Sequence, residues 1–156
     1  MRLRDWLDSG DLQQQPPTRD EIGRLLEIAD RDVEDAAVSG ISVDRQFAIA
    51  YEAALTLALI VLRASGYRTP GSSSGHHWLT FALLPELMGE QAEGRSRYFH
   101  LCRRKRHQAT YDRAGVATES ELEELTGEVK AFRRELMCWL TETHSALVPD
   151  EGKPRR

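Results

Sequence analysis

The amino-acid sequence predicts an all-α fold, an up-and-down bundle of about five helices. Three observations predict it. Apolar residues recur three and four positions apart over long stretches, which is the period of one helix face. Thr18 with Glu21, and Thr118 with Glu121, have the spacing of capping boxes, in which each side chain satisfies the other residue's free backbone N–H. No stretch alternates apolar and polar residues with period two, so no strand is expected. A chain of 156 residues suits one domain with a real core, and 40% hydrophobic with 29% charged residues excludes wholesale disorder.

The elements follow in chain order. Residues 1–17 end in a Gln- and Pro-rich run and read as a flexible arm; the bundle spans 18–146, and 147–156 form a frayed tail. The first helix starts at Thr18, carries Ile22, Leu25, Ala29, Val33 and Ala36 on one face, and stops at Gly40. Ser42 caps a second helix that runs to Gly66. Residues 47–62 are apolar nearly all round except for Glu52, so this helix is expected at the centre of the core. It is read as too short and too flanked by charge to span a membrane. Residues 66–75 are a loop rich in Gly and Ser, with no nucleophile or phosphate-cradling motif around Ser72, Ser73 and Ser74. A third helix covers 76–88, kinked or shortened by Pro85. A fourth covers 91–111, and RAGVA breaks the chain after it. The last helix runs from Thr118 to about residue 146. Its apolar seam, Leu122, Leu125, Val129, Phe132, Leu136 and Trp139, suits a bundle or a helix-mediated dimer.

Charge is unevenly spread. Residues 95–113 hold seven of the 21 basic residues and one of the 25 acidic ones. That leaves 14 basic against 24 acidic residues elsewhere, so a segment of charge +6 sits in a remainder of −10. Such asymmetry speaks about partners and not about fold. The two cysteines, Cys102 and Cys138, give no disulfide framework and read as small core hydrophobes in a reducing, cytoplasmic compartment. The N-terminus lacks the apolar core of a signal peptide. The five histidines show no metal-ligand spacing, so neither a metal nor another cofactor is expected.

On a helical wheel Arg97, His100, Arg104, His107 and Tyr111 fall within about 80° of one another and make one polar stripe. Phe99, Cys102, Arg106 and Ala109 point toward the core. An inward guanidinium needs a counter-ion, and Glu52, the lone charge of the apolar helix, is the candidate partner. Forked arginine donors suit phosphate oxygens, and imidazoles can move protons near neutral pH. The stripe can therefore bind RNA or a nucleotide. In principle it can also cleave RNA, with His100 or His107 as base and Arg97 or Arg104 steadying the phosphate. A solvated helix face is the plain alternative.

Three stretches carry a family resemblance. They are AYEAALTLALIVLRASGYR (residues 50–68), SSGHHWLTFALLPELMG (73–89) and CRRKRHQATYD (102–112), followed by a capped amphipathic helix. In this order they resemble the HEPN domains, in particular the small stand-alone prokaryotic branch. The resemblance covers about residues 20–143. It implies a helical bundle that dimerises with its basic motif at a cleft between subunits. It implies RNA as a ligand, a minimal nucleotidyltransferase as a partner, and a toxin–antitoxin or defence setting. Many members are metal-independent endoribonucleases with an Arg, four to six residues, then a His; others are non-catalytic. With Arg104 and Tyr111 in the motif's arginine and tyrosine places, the histidine falls at Ala109. His107 lies three residues beyond Arg103, whereas Arg95 and His100 meet the spacing further upstream. The binding candidates are Arg97, Arg103, Arg104, Arg106 and Tyr111, of which the resemblance carries over Arg104, Arg106 and Tyr111, and the catalytic candidates are Arg104, His107 and His100. The reading is a non-catalytic or weakly catalytic HEPN-like homodimer, with an endoribonuclease toxin and a purely structural helical protein as alternatives.

Overall fold

A computed structural model describes residues 2–71 and 76–150. Among these, seven α-helices form an all-α bundle: α1 (Leu3–Ser9), α2 (Arg19–Ala36), α3 (Val43–Ala64), α4 (His76–Ala82), α5 (Leu84–Met88), α6 (Glu93–His107) and α7 (Glu119–Thr143). Both Thr caps form. Thr18 Oγ1 accepts from the Glu21 N–H at 3.2 Å, and Thr118 with Glu121 closes a full capping box. Ser42 caps α3 by accepting from the Arg45 N–H.

The apolar helix α3 is the axle of the bundle. It touches α2, α4, α5, α6 and α7. Its length of 22 residues and mean hydropathy of 1.8 would suffice to cross a membrane, but 67% of that window is buried inside the fold. A column of aromatic rings crosses the core from helix to helix. Tyr51 on α3 meets Phe81 on α4 at 5.9 Å between centroids, Phe81 meets Phe99 on α6 at 5.4 Å, and Phe99 meets Phe132 on α7 at 5.4 Å. All four residues are fully buried. Such ring pairs add about 0.5–1.5 kcal/mol each beyond simple burial. The α7 seam packs within the chain: Leu125, Val129, Phe132 and Leu136 are buried, whereas Leu122 and Trp139 are only partly covered.

Three expectations need correction. The segment before residue 18 is not a loose arm. It contains α1 and a two-residue strand, β1 (Gln13–Gln14), which pairs antiparallel with β2 (Tyr67–Arg68). Leu12 is buried beside Leu62, Leu79 and Leu83, and Trp6 meets Trp78 edge-on at 5.2 Å. Strands of two residues are too short to show an alternating pattern, so periodicity could not reveal them. The third helix is split: Pro85 lies inside the first turn of α5 and Leu83 separates α4 from α5. Proline has no N–H and clashes with the turn before it, so it begins a new helix more readily than it continues one. The end of the chain is also anchored as far as residue 150. After a 3-10 turn at Ser145–Leu147, Pro149 is buried near Gly23, and Arg19 donates to the Val148 carbonyl at 2.7 Å. Residues 151–156 of the expected tail, and Ser72, Ser73 and Ser74, lie outside the described residues.

Candidate phosphate-binding site

The basic segment is wound continuously but not as one α-helix. A 3-10 turn covers Glu90–Ala92, α6 covers Glu93–His107, and a π turn closes the end at Gln108–Asp112. The Arg113 N–H donates to the Gln108 carbonyl at 3.1 Å, the five-residue bond that defines that wider turn. The RAGVA break is pinned to the start of α3. Asp44 accepts from the Gly115 N–H at 2.6 Å and the Ala117 N–H at 2.9 Å, and these bonds hold its carboxyl below the ordinary value. Gly115 has a φ of +77°, a region that glycine enters without a Cβ clash.

The seven cations of residues 95–113 divide into two groups. Arg95 pairs with Glu128 and Glu135 on α7, Lys105 pairs with Glu121, and Arg106 pairs with Glu52 at 3.3 Å. Arg97, Arg103, Arg104 and Arg113 have no ion pair among the described residues. The Glu52–Arg106 pair therefore exists as expected, but it is not buried: the side chains are 41% and 26% exposed. The Arg106 guanidinium lies 5.8 Å from the centre of the Tyr51 ring, within cation–π range.

The polar stripe separates into two environments. Arg97, Arg104, His107 and Tyr111 are exposed, with the His107 and Tyr111 rings tilted against each other at 4.9 Å. His100 is turned aside and half-buried edge-on to Phe81 at 6.1 Å. Burial, then the Arg103 guanidinium, hold its imidazole below the ordinary 6.5. His100 and His107 are seven residues apart, about 10 Å along the axis at 1.5 Å per residue. The two imidazoles thus lie in different surroundings, with Arg104 between them along the helix. On the inward side Phe99 and Cys102 are buried, while Ala109 is half-covered. Burial pushes the Cys102 thiol up to about 12, so it is a core group and not a nucleophile.

A convergent cluster sits one row over from the stripe. Tyr51 and Glu52 come from the middle of α3, His77 from the start of α4, and Arg103 and Arg106 from α6. The Tyr51 and His77 rings lie 6.4 Å apart. The Arg103 and Arg106 charges both act on Tyr51 and on His77. Burial, then the Glu52 carboxylate, push the Tyr51 phenol well above its ordinary 10, so it remains a donor. Burial lowers His77 below 6.5; Glu52 opposes this, and Arg106 and Arg103 add to it. The Tyr51 Oη and the Nε atoms of Arg103 and Arg106 are buried without hydrogen-bond partners. A buried donor left unpaired costs about 1–3 kcal/mol. No group of three or more His, Cys, Asp or Glu among the described residues could hold a metal ion.

His77 and Tyr51 were not singled out from the sequence as site residues. His77 read as the polar start of a helix, and Tyr51 lay inside an apolar run. Comparison of the chain with protein-family models, curated proteins and solved structures finds no match in any of the three.

Proposed function

We propose that the protein is a HEPN-like, non-catalytic or weakly catalytic module that binds RNA or a nucleotide through the basic face of α6. One observation carries this reading. Arg97 and Arg104 are exposed on one face of α6 without ion-pair partners among the described residues, and an exposed His107–Tyr111 ring pair follows them. Unpaired guanidiniums attract phosphates, and an exposed ring offers a platform for an unstacked base. The family resemblance adds homodimerisation and a minimal nucleotidyltransferase as a partner, in a toxin–antitoxin setting. The endoribonuclease alternative is less favoured, because His100 packs on Phe81 and His107 on Tyr111, away from a shared phosphate position.

Binding of a labelled single-stranded RNA across a salt series tests the reading. The Arg97→Ala, Arg104→Ala double variant should bind about tenfold more weakly at moderate salt, with the log–log salt slope reduced by about 1.4 for two lost single-strand phosphate contacts. His107→Ala should change affinity only a few-fold. Wild-type protein that fails to bind RNA at low salt, or a double variant that binds equally well, overturns the proposal. Loss of cleavage or toxicity in His107→Ala would restore the nuclease reading.

A further inference from the structure

A cavity of about 450 Å³ opens between α3, α6 and the start of α7, a size that suits a small organic ligand. Its apolar wall is Phe47, buried on α3, with Tyr98, Leu101 and Cys102 from α6. Leu101 is 61% exposed, so this large aliphatic side chain lines the cavity without belonging to the core. Tyr98 is half-buried; burial, then the Cys102 thiol and the Glu124 carboxylate, push its phenol well above the ordinary 10, so it stays a donor. Four charged side chains complete the lining. Lys105 and Glu121 pair with each other and tie α6 to α7. Arg104 and Glu124 are exposed, line the same cavity, and have no ion pair among the described residues.

These two charges stand at different ends. Arg104 adjoins Lys105, whereas Glu124 lies nearly one turn beyond Glu121 on α7 and beside the Tyr98 phenol. Tyr98 and Arg104 are six residues apart on α6, about 9 Å along the axis at 1.5 Å per residue. The cavity thus has a cationic end, a carboxylate end, and an apolar wall between them.

We propose that this cavity binds one guanine nucleotide, either free or as an unstacked base of an RNA strand. The phosphate goes to Arg104, the base lies on the apolar wall, and the Watson–Crick edge of the base faces Glu124. Each assignment follows from the lining. A guanidinium fork suits phosphate oxygens. An aromatic base offers two apolar faces to Leu101 and Tyr98. A carboxylate only accepts hydrogen bonds, and guanine alone among the four RNA bases sets two N–H donors, N1 and N2, side by side on that edge. Adenine and cytosine set one amino group beside a bare ring nitrogen, and uracil sets its N–H between two carbonyls. Each of these three turns a lone pair toward the carboxylate.

The inference deepens the proposed function and rests on it for the RNA strand, but not for the nucleotide. The test uses the intact protein and calorimetric titration with GMP, AMP, CMP and UMP. A second arm uses two short single-stranded RNAs, one all uridine and one with a single central guanosine. GMP should bind about tenfold more tightly than the other three, and the guanosine strand more tightly than the uridine strand. Glu124→Gln alters an exposed side chain without an ion pair, so the fold should hold. It should bring GMP to within about twofold of AMP. Arg104→Ala should weaken all four nucleotides and keep their order. Leu101→Trp should fill the cavity and weaken GMP. A preference seen only with free nucleotides assigns the cavity to a mononucleotide; one seen only with the strands assigns it to an RNA base. If GMP is preferred and neither strand binds, the cavity stands and the RNA reading fails. If the strands bind equally and no nucleotide is preferred, the RNA reading stands and the cavity inference is overturned. A guanine preference that survives Glu124→Gln, a preference for another base, or no binding of any nucleotide or strand also overturns it.

Discussion

Arg63, near the end of α3, offers the sharpest test of how the N-terminal segment is held. Its side chain is 8% exposed, and three acceptors from three places meet it. Glu21 on α2 accepts from Nε at 2.6 Å, the Tyr67 carbonyl on β2 accepts at 2.8 Å, and the Gln15 carbonyl just past β1 accepts at 3.3 Å. Replacing Arg63 with Met keeps an unbranched stem in the core and removes every one of these bonds. Breaking a buried ion pair by deleting one partner typically costs 3–5 kcal/mol. Glu21 is 31% exposed and regains water when orphaned, and one guanidinium nitrogen of Arg63 is already unpaired. The expected loss is therefore at the low end, about 3 kcal/mol. For a chain of this size that is a fall of about 6–12 °C in melting temperature. Urea unfolding gives the free energy, and limited proteolysis locates the damage, with cleavage expected first between residues 9 and 18. A loss under about 0.5 kcal/mol, or proteolysis unchanged in that interval, would refute the claim that Arg63 fastens β1 and β2 to the bundle.

Two further outcomes follow from the site's electrostatics. His77 and His100 both have folded-state pKa values below 6.5, so the unfolded chain binds more protons once the pH falls through 6.5. Stability should fall from pH 7 toward pH 5, before most carboxylates titrate. His77→Gln should flatten part of that slope in pH-dependent urea melts; an unchanged slope would show that His77 is not held neutral by its surroundings. Glu52→Gln should cost only about 1 kcal/mol or less, because the pair with Arg106 is half-exposed. The same variant should lower the His77 pKa further in NMR titration, since Glu52 is the group that favours its protonation; a rise would place the carboxylate elsewhere.

The parts of the fold read correctly from sequence are those encoded by repetition. Ile22, Ala29, Leu125, Val129, Phe132 and Leu136 recur at the helical period, and all are buried. The caps at Thr18, Ser42 and Thr118 are local, short-range chemistry, and each forms its bond. What escaped was encoded by single residues acting at a distance. Leu12 has no periodic neighbour, yet it fills a gap under Leu62 and Leu79. The β1–β2 pair depends on Arg63, 48 residues from Gln15. The π turn at the end of α6 has no composition of its own, since Gln, Ala, Thr, Tyr and Asp are compatible with an ordinary turn. For the site, the wheel separated outward from inward residues on α6 and found the Glu52–Arg106 contact. It could not show which inward polar atoms lack a hydrogen-bond partner.

That last distinction decides what the basic segment is for. A row of cations on a helix ordinarily means a solvated face, and three of the seven are indeed spent on carboxylates of α3 and α7. Their four ion pairs hold α6 against its neighbours, so part of the charge is structural. Of the other four, Arg97, Arg104 and Arg113 are exposed, as on a solvated face, and Arg103 is not. Arg103 is half-buried, carries no carboxylate among the described residues, and lies where its field reaches Tyr51, His77 and His100 together. A cation with only a structural task would be moved to the surface or given a partner, because desolvating an unpaired charge has a cost and no return. Its position one row inward from the exposed Arg104 instead makes α6 two-sided. Under the proposed RNA binding, removing the exposed Arg104 should therefore weaken affinity for a phosphate chain more than removing the half-buried Arg103, and equal losses in an RNA-binding assay would contradict this.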